Sequence, residues 1–288
     1  MKEKKKEILV DEEKNLFDII KENVSDASNK TIKNYIKHGM VLIDNEVITN
    51  SNFIVTTGKV VTIYFIKRSI PNIDLKIIYE DEDLIAIDKP SGLLSISNSK
   101  EKEITAFHLV SDYIKTNNKK AHLFVVHRLD EQTSGVLLFA KNKKIKLQLQ
   151  ENWSRLVQRR EYICVVKGKT PIREKIESYL TMNHFQIVHS TKNKEIGNYA
   201  ITRYERIKYK NTYSLLKVEI DTGRRNQIRA HLSEKGFVIV GDKKYGSKIN
   251  PIGRLALHAS SLVLTDPRNN KLLVLKSNIP KEITALVE

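Results

Sequence analysis

The chain is most constrained by residues 127–135, His-Arg-Leu-Asp-Glu-Gln-Thr-Ser-Gly, which are polar and flanked by apolar runs. Leu123 to Val126 precede them and Val136 to Ala140 follow. The pattern reads strand, polar loop, strand. A loop anchored at both ends by buried strands can hold one side chain in a fixed place, as a reacting carboxylate requires. Asp130 is that candidate, with Arg128 two residues before it. Alone, an Asp in a loop is more often a turn residue.

Further segments accompany the loop. Tyr79 to Leu93 carries an apolar strand and the turn Lys89-Pro90-Ser91-Gly92. Arg160-Glu161-Tyr162 opens an apolar stretch, and Thr222 to Arg229 reads Thr-Gly-Arg-Arg-Asn-Gln-Ile-Arg. Gly241-Asp242, Tyr245-Gly246 and Leu257-His258-Ala259 follow in order. Together these segments resemble the RluA-type (RluA, RluC and RluD-like) RNA pseudouridine synthases over about residues 75 to 277. The resemblance implies an α+β fold. A small helical and β N-terminal RNA-binding domain would precede a catalytic domain built on a long, mixed, mainly antiparallel sheet flanked by helices.

By that resemblance the catalytic residues are Asp130, Tyr162 and Arg229. The reaction detaches uracil from ribose at nitrogen and rejoins it at carbon five. A carboxylate can attack the sugar C1′, stabilise an oxocarbenium ion, or remove a proton to give a glycal-like species, and sequence does not choose among these. Burial by RNA raises a carboxylate pKa and a nearby cation lowers it; Arg229 is the candidate cation. Tyr162 is expected to stack on the flipped base, and Ile228 to pack against it. Arg128 is expected to fill the space that the everted nucleotide leaves. Arg225 is placed four residues before Arg229 on a helix running from Gly223 to Gly236, facing phosphate. His127 is expected to order the loop, with Thr133, Ser134 and Gly135 shaping its turn. Lys89-Pro90 and Gly241-Asp242 read as scaffold, and His258 as a strand residue bonded to backbone. The family usually has His where this chain has Asn226, which cannot titrate near neutral pH. Glu131 sets a like charge beside Asp130 unless it faces solvent.

Composition narrows the partners. The formal charge of +16 favours polyanions, although lysine-rich solvated surface gives the same figure. One cysteine excludes a disulfide framework, and no Cys/His spacing fits zinc. Cys164, in Tyr-Ile-Cys-Val-Val, reads as a buried strand residue. No apolar run approaches the ~20 residues of a membrane span, and Lys2 to Lys6 lack the apolar core of a signal peptide. The expectations are therefore RNA (23S-type ribosomal RNA) as partner, no metal, no cofactor, no membrane, a monomer, and the cytoplasm.

Residues 1–8 read as a frayed charged tail. Helical spacing begins at Asn15, and a second helix spans Asn29 to His38, stopped by Gly39. Short strands follow at Met40–Ile43, Val47–Ile48 and Val60–Tyr64. The segment Ile36 to Asn45 resembles the motif of the S-four-like RNA-binding domain, which implies RNA contacts at Lys30, Lys33 and Lys37. The domain reading is 1–66, a linker at 67–74, and 75–288. Helices are predicted at Ile104–Thr116 and Lys143–Gln158, with Trp153 in the core rather than stacking a base. Hairpin turns are predicted at 80–83, 210–211 and 267–271. Two alternatives remain: an RNA-binding or ribosome-assembly factor without catalysis, which has no need of an acid in a basic cleft, and a nucleoside hydrolase or glycosylase, which needs an activated water that no second carboxylate here is placed to supply.

Overall fold

The computed structural model describes residues 5–25, 27–37, 39–44, 46–65, 75–97 and 105–288, with the side chains of Lys37 and Asn117 outside the description. The chain forms two compact units, Met1–Asp74 and Leu75–Glu288. The linker expected at 67–74 lies outside the described residues.

In the smaller unit the elements are β1 (Lys5–Leu9), β2 (Lys14–Asn15), α1 (Leu16–Asn23), α2 (Asn29–Lys37), β3 (Val41–Ile43), β4 (Glu46–Val47), β5 (Ile54–Val55) and β6 (Val60–Tyr64). A four-stranded sheet runs in the order β1-β6-β3-β4. The Asn15 side chain caps α1 by accepting the Phe17 amide at 2.9 Å. Leu16 and Ile20 of α1, Ile32 and Ile36 of α2, and Val41, Val61 and Ile63 of the sheet form one core. The frayed tail expected at residues 1–8 is corrected for the described part. Lys5–Leu9 is a strand paired antiparallel with Val60–Tyr64, and Ile8 is buried. Its partner strand is more than fifty residues away, so local periodicity could not reveal the pairing. Lys30 and Lys33 are exposed on α2, with the Lys33 ammonium 5.9 Å from the Phe17 ring centroid. The Lys37 side chain and Asn45 lie outside the described residues.

The larger unit contains β7 (Ile77–Glu80), β8 (Leu84–Lys89), α3 (Ala106–Asn117), β9 (Phe124–Val125), β10 (Ser134–Ala140), α4 (Lys143–Glu151) and α5 (Trp153–Leu156). It continues with β11 (Val157–Lys167), β12 (Arg173–Met182), β13 (Val188–Thr191), β14 (Asn198–Lys210), β15 (Tyr213–Ile220), α6 (Gln227–Glu234), β16 (Leu257–Thr265), β17 (Leu272–Lys276) and α7 (Lys281–Thr284). The described strands form a sheet in the order β13-β12-β14-β15-β11-β16-β10-β8-β7, with β17 added beside β16 and β9 beside β10. All pairings are antiparallel except β10 with β16. The three predicted hairpin turns each join antiparallel partners.

Every residue of β10 is buried, which is why its apolar run is continuous rather than alternating. Val136, Leu138 and Ala140 face α4 and α5, and the Phe139 ring lies 6.3 Å from Phe107 of α3. The β10–β16 pairing spans only Ser134↔His258 and Gly135↔Ala259. Gly135 makes it possible: φ is +111°, and a Cβ there would sit 2.1 Å from the Ala259 carbonyl oxygen. Gly135 thus serves strand approach more than turn shape. The predicted 143–158 helix is two helices broken at Asn152, and β11 already begins at Val157. Trp153 packs on the core with its ring 5.2 Å from that of His127. Cys164 is buried, and burial pushes its thiol pKa up.

Candidate active site

The loop between β9 and β10 is gripped by the turn that follows β8. Lys89 is fully buried, and its ammonium donates to the carbonyls of Pro90 (2.9 Å), Leu93 (2.6 Å) and Glu131 (2.9 Å). Gly92 N–H also donates to Glu131 O at 3.0 Å, and the Ser91 hydroxyl to Gln132 O at 2.7 Å. The Ser95 hydroxyl donates to Leu129 O (2.8 Å) and accepts the Leu129 amide (3.0 Å). Within the loop Thr133 N–H reaches Asp130 O at 3.1 Å. Burial pushes the Lys89 pKa down to about 7, against the opposing pull of the Asp130 carboxylate. His127 Nε2 accepts the Leu138 amide at 3.0 Å, so a neutral ring carries its proton on Nδ1. Burial, helped by the Arg160 charge, lowers the His127 pKa to about 3. His127 therefore ties the loop to β10, as the sequence indicated.

These ties leave the Asp130 side chain 25% exposed. Its Oδ2 accepts from Asn226 Nδ2 at 2.6 Å and lies 3.7 Å from Arg229 NH1. The rest of the Arg229 fork goes elsewhere. Nε and NH2 donate to the two oxygens of Asp242 at 2.7 Å each, and the guanidinium carbon sits 5.2 Å from the Tyr245 ring centroid. Arg229 and Asp242 are both buried. Burial opposes the Arg229 charge, yet the hydrogen-bonded Asp242 carboxylate outweighs it and raises the pKa. Asp242 is thus the principal partner of Arg229, more than the scaffold residue that the sequence indicated.

Tyr162 is half-buried on β11, between β15 and β16. The register of β11 against β16 slips between Glu161 and Tyr162, a bulge of the kind that re-aims a side chain. Burial pushes the Tyr162 hydroxyl up to about 12; the Arg160 charge opposes this and the Asp130 charge adds to it. Arg128 is exposed and makes no hydrogen bond or ion pair with the described residues. Glu131 is exposed too.

One expectation requires correction. Arg225 and Arg229 do not share a helix face. Asn226 has φ +50°, in the left-handed region, so α6 starts at Gln227 and Arg225 lies outside it. The exposed Arg225 instead donates to Gln186 Oε1 at 3.2 Å and lies 3.4 Å from the Met182 sulfur. His258 sits in β16 beside the Ser277 backbone, and its Nδ1 also lies 2.8 Å from the Ser134 hydroxyl. Ile228 is 5% exposed and belongs to the core against which Tyr162 packs. Lys244 and Tyr245 belong to the site although sequence gave them no part in it, and Asn226, marked in the sequence only as a departure from the family's His, contacts Asp130 directly. Among the described residues no cluster of three His, Cys, Asp or Glu side chains is placed to hold a metal.

Residues 83–234, which contain Asp130, Tyr162, Asn226 and Arg229, match the model of the RNA pseudouridylate synthase family. That match covers just over half of the chain. The chain belongs to this family. Its members isomerise uridine in RNA, which makes this protein an RNA pseudouridine synthase. An uncharacterized RNA pseudouridine synthase of Bacillus subtilis (strain 168) is 28% identical over 97% of this chain and 95% of its own length. A tRNA pseudouridine synthase C of Haemophilus ducreyi is 32% identical over 68% of this chain and 87% of its own length. A ribosomal large subunit pseudouridine synthase D of Escherichia coli O6:H1 is 28% identical over 91% of this chain and 86% of its own length. Among solved structures, human RNA pseudouridylate synthase domain containing 4 superposes with a TM-score of 0.59 at 22% identity, over 73% of this chain and 91% of that one, which shows the shared fold. Among the described residues no helix is long and apolar enough to cross a membrane.

Proposed function

We propose that this synthase acts on uridine in large-subunit ribosomal RNA, with Asp130 as the carboxylate that meets the sugar of a flipped nucleotide. The observation that carries the reading is the setting of Asp130. It is a partly exposed acid on a loop fixed by buried hydrogen bonds, with Arg229 at 3.7 Å and Lys89 beneath the loop. A binding surface for RNA has no use for a carboxylate held among cations; a reaction that builds positive charge on ribose does. Tyr162, facing the same charge, would stack on the everted uracil over the wall that contains Ile228. Exposed Arg128 would occupy the gap left in the RNA, and Arg225 would meet a phosphate.

The choice of ribosomal RNA rests on length. The ribosomal relative matches 91% of this chain, too much to fit within Leu75–Glu288, so its likeness extends into the smaller unit. The smaller unit is read as an S-four-like domain that uses Lys30, Lys33 and Lys37 on RNA. The whole is read as a cytoplasmic monomer without metal or cofactor.

One experiment tests substrate and carboxylate together. Pseudouridines are mapped in RNA from cells carrying the gene, lacking it, or carrying Asp130→Asn. Sites in large-subunit ribosomal RNA should vanish in both altered strains. Loss confined to transfer RNA would overturn the substrate, and unchanged modification by Asp130→Asn would overturn the role of the carboxylate.

A further inference from the structure

The two oxygens of Asp130 are in different circumstances. Oδ2 accepts from Asn226 at 2.6 Å and has Arg229 at 3.7 Å. Oδ1 accepts no hydrogen bond from the described residues. Asn226 itself is unusual. It stands at the N-cap of α6, 6% exposed and with φ +50°, yet its side chain makes no capping bond. An N-cap Asn ordinarily satisfies the free amides of the first turn. Here the side chain turns to Asp130 instead, and its Oδ1 accepts from Lys244 Nζ at 3.1 Å. That second contact fixes which way the amide points. A lysine ammonium only donates and an ionised carboxylate only accepts, so the oxygen must face Lys244 and the NH₂ must face Asp130. Without Lys244 the amide is held from one side only, by its bond to Asp130.

We propose that Asn226 is a positioning residue for Asp130 and that Lys244 orients it: together they hold Oδ2 and leave Oδ1 facing the substrate. The inference rests on reading Asp130 as the reacting carboxylate. Asn226 acts by fixing the rotation of a side chain whose loop is already immobile, so its contribution falls on turnover. Being nearly covered, it offers RNA little surface, so affinity should not depend on it. An amide also does the task without changing charge near neutral pH.

Turnover is read as tritium release. When the bond from C1′ to N1 breaks and C1′ joins C5, the C5 hydrogen passes to water and N1 takes up a proton. Total RNA labelled with [5-³H]uridine, from cells lacking the gene, is the probe. Asn226→Gly removes the side chain and tolerates a positive φ without strain. It should lower kcat about 10- to 100-fold, the worth of one hydrogen bond to a charged group, with KM within about twofold. Lys244→Met should lower kcat about 3- to 10-fold alone and not at all in the Asn226→Gly background. Asn226→His should restore turnover at pH 8, because a neutral imidazole offers one N–H to Asp130 and one lone pair to Lys244. Additive losses from Asn226→Gly and Lys244→Met, a change confined to KM, or full kcat in either single variant would overturn the proposal. Lys244 is exposed, so its variant tests the idea even if Asn226→Gly folds poorly. Absence of tritium release by the unaltered protein would count against the reading of its function instead.

Discussion

Replacing Asp242 by Asn should destabilise the larger unit and impair turnover at once. Asp242 is 1% exposed and Arg229 is 7% exposed, so neither charge has water to fall back on. The pair is bidentate, with two bonds of 2.7 Å. Asn at 242 keeps one acceptor but loses the negative charge, leaving a buried guanidinium whose nearest remaining carboxylate is Asp130 at 3.7 Å. Breaking a buried pair on one side costs about 3–5 kcal/mol, and the retained acceptor favours the lower end, about 3 kcal/mol. For a unit of this size each kcal/mol moves the melting temperature by about 2–4 °C, so the expected fall is about 6–12 °C. Calorimetry of the full chain reads it directly. The freed Arg229 fork should also swing onto Asp130 and cover the oxygen needed for reaction, so kcat should fall with it. The double change Arg229→Met with Asp242→Leu removes both charges, and should be less destabilising than Asp242→Asn alone. A melting temperature within about 2 °C of the unaltered chain for Asp242→Asn would refute the argument.

Gly135→Ala should cost about 3 kcal/mol or more and shift the urea midpoint accordingly, because the added Cβ meets the Ala259 carbonyl oxygen at 2.1 Å and φ is +111°; an unchanged midpoint would mean that β10 and β16 can move apart freely. His127 gives an acid-side prediction. Its folded pKa of about 3 lies below the ordinary value of 6.5, so the folded chain binds fewer protons than the unfolded one between those limits. Stability is therefore full above pH 6.5 and is lost as pH falls toward 3; His127→Asn should flatten that part of the stability curve, and an unaltered slope would exclude the imidazole as its source.

The site loop was legible because both signals that define it are local. Apolar runs on each side mark β9 and β10, and the mostly polar segment between them reads as a connection, although its last two residues, Ser134 and Gly135, already belong to β10. Arg229 was legible from its motif, but its chief partner was not. The Arg229–Asp242 pair joins α6 to a turn thirteen residues further along the chain, and no periodicity encodes it. Arg225 was misplaced for a specific reason. Helical spacing counts residues and cannot see that Asn226 adopts a left-handed backbone, which delays the first turn of α6 to Gln227. The strand Lys5–Leu9 was hidden differently. One buried residue, Ile8, carries its packing, the flanking lysines make it look like a tail, and its pairing partner is β6. Asn226 was visible as a departure from the resembled pattern. Its contact with Asp130 was not, because it depends on two loops meeting in space.

The division of Arg229 between two carboxylates bears on what Asp130 can do. A guanidinium in a bidentate grip on Asp130 would occupy both of its oxygens and offset its charge, leaving a stable ion pair and a poor reactant. Asp242 prevents that by taking Nε and NH2. Only NH1 is left for Asp130, at 3.7 Å and on the Oδ2 side that Asn226 already occupies. The cation therefore stays beside Oδ2 without closing off Oδ1. This is why the buried Asp242, which lies behind the reacting group rather than beside it, is required in the proposed mechanism: it sets how much of Arg229 the reactive carboxylate is allowed to have.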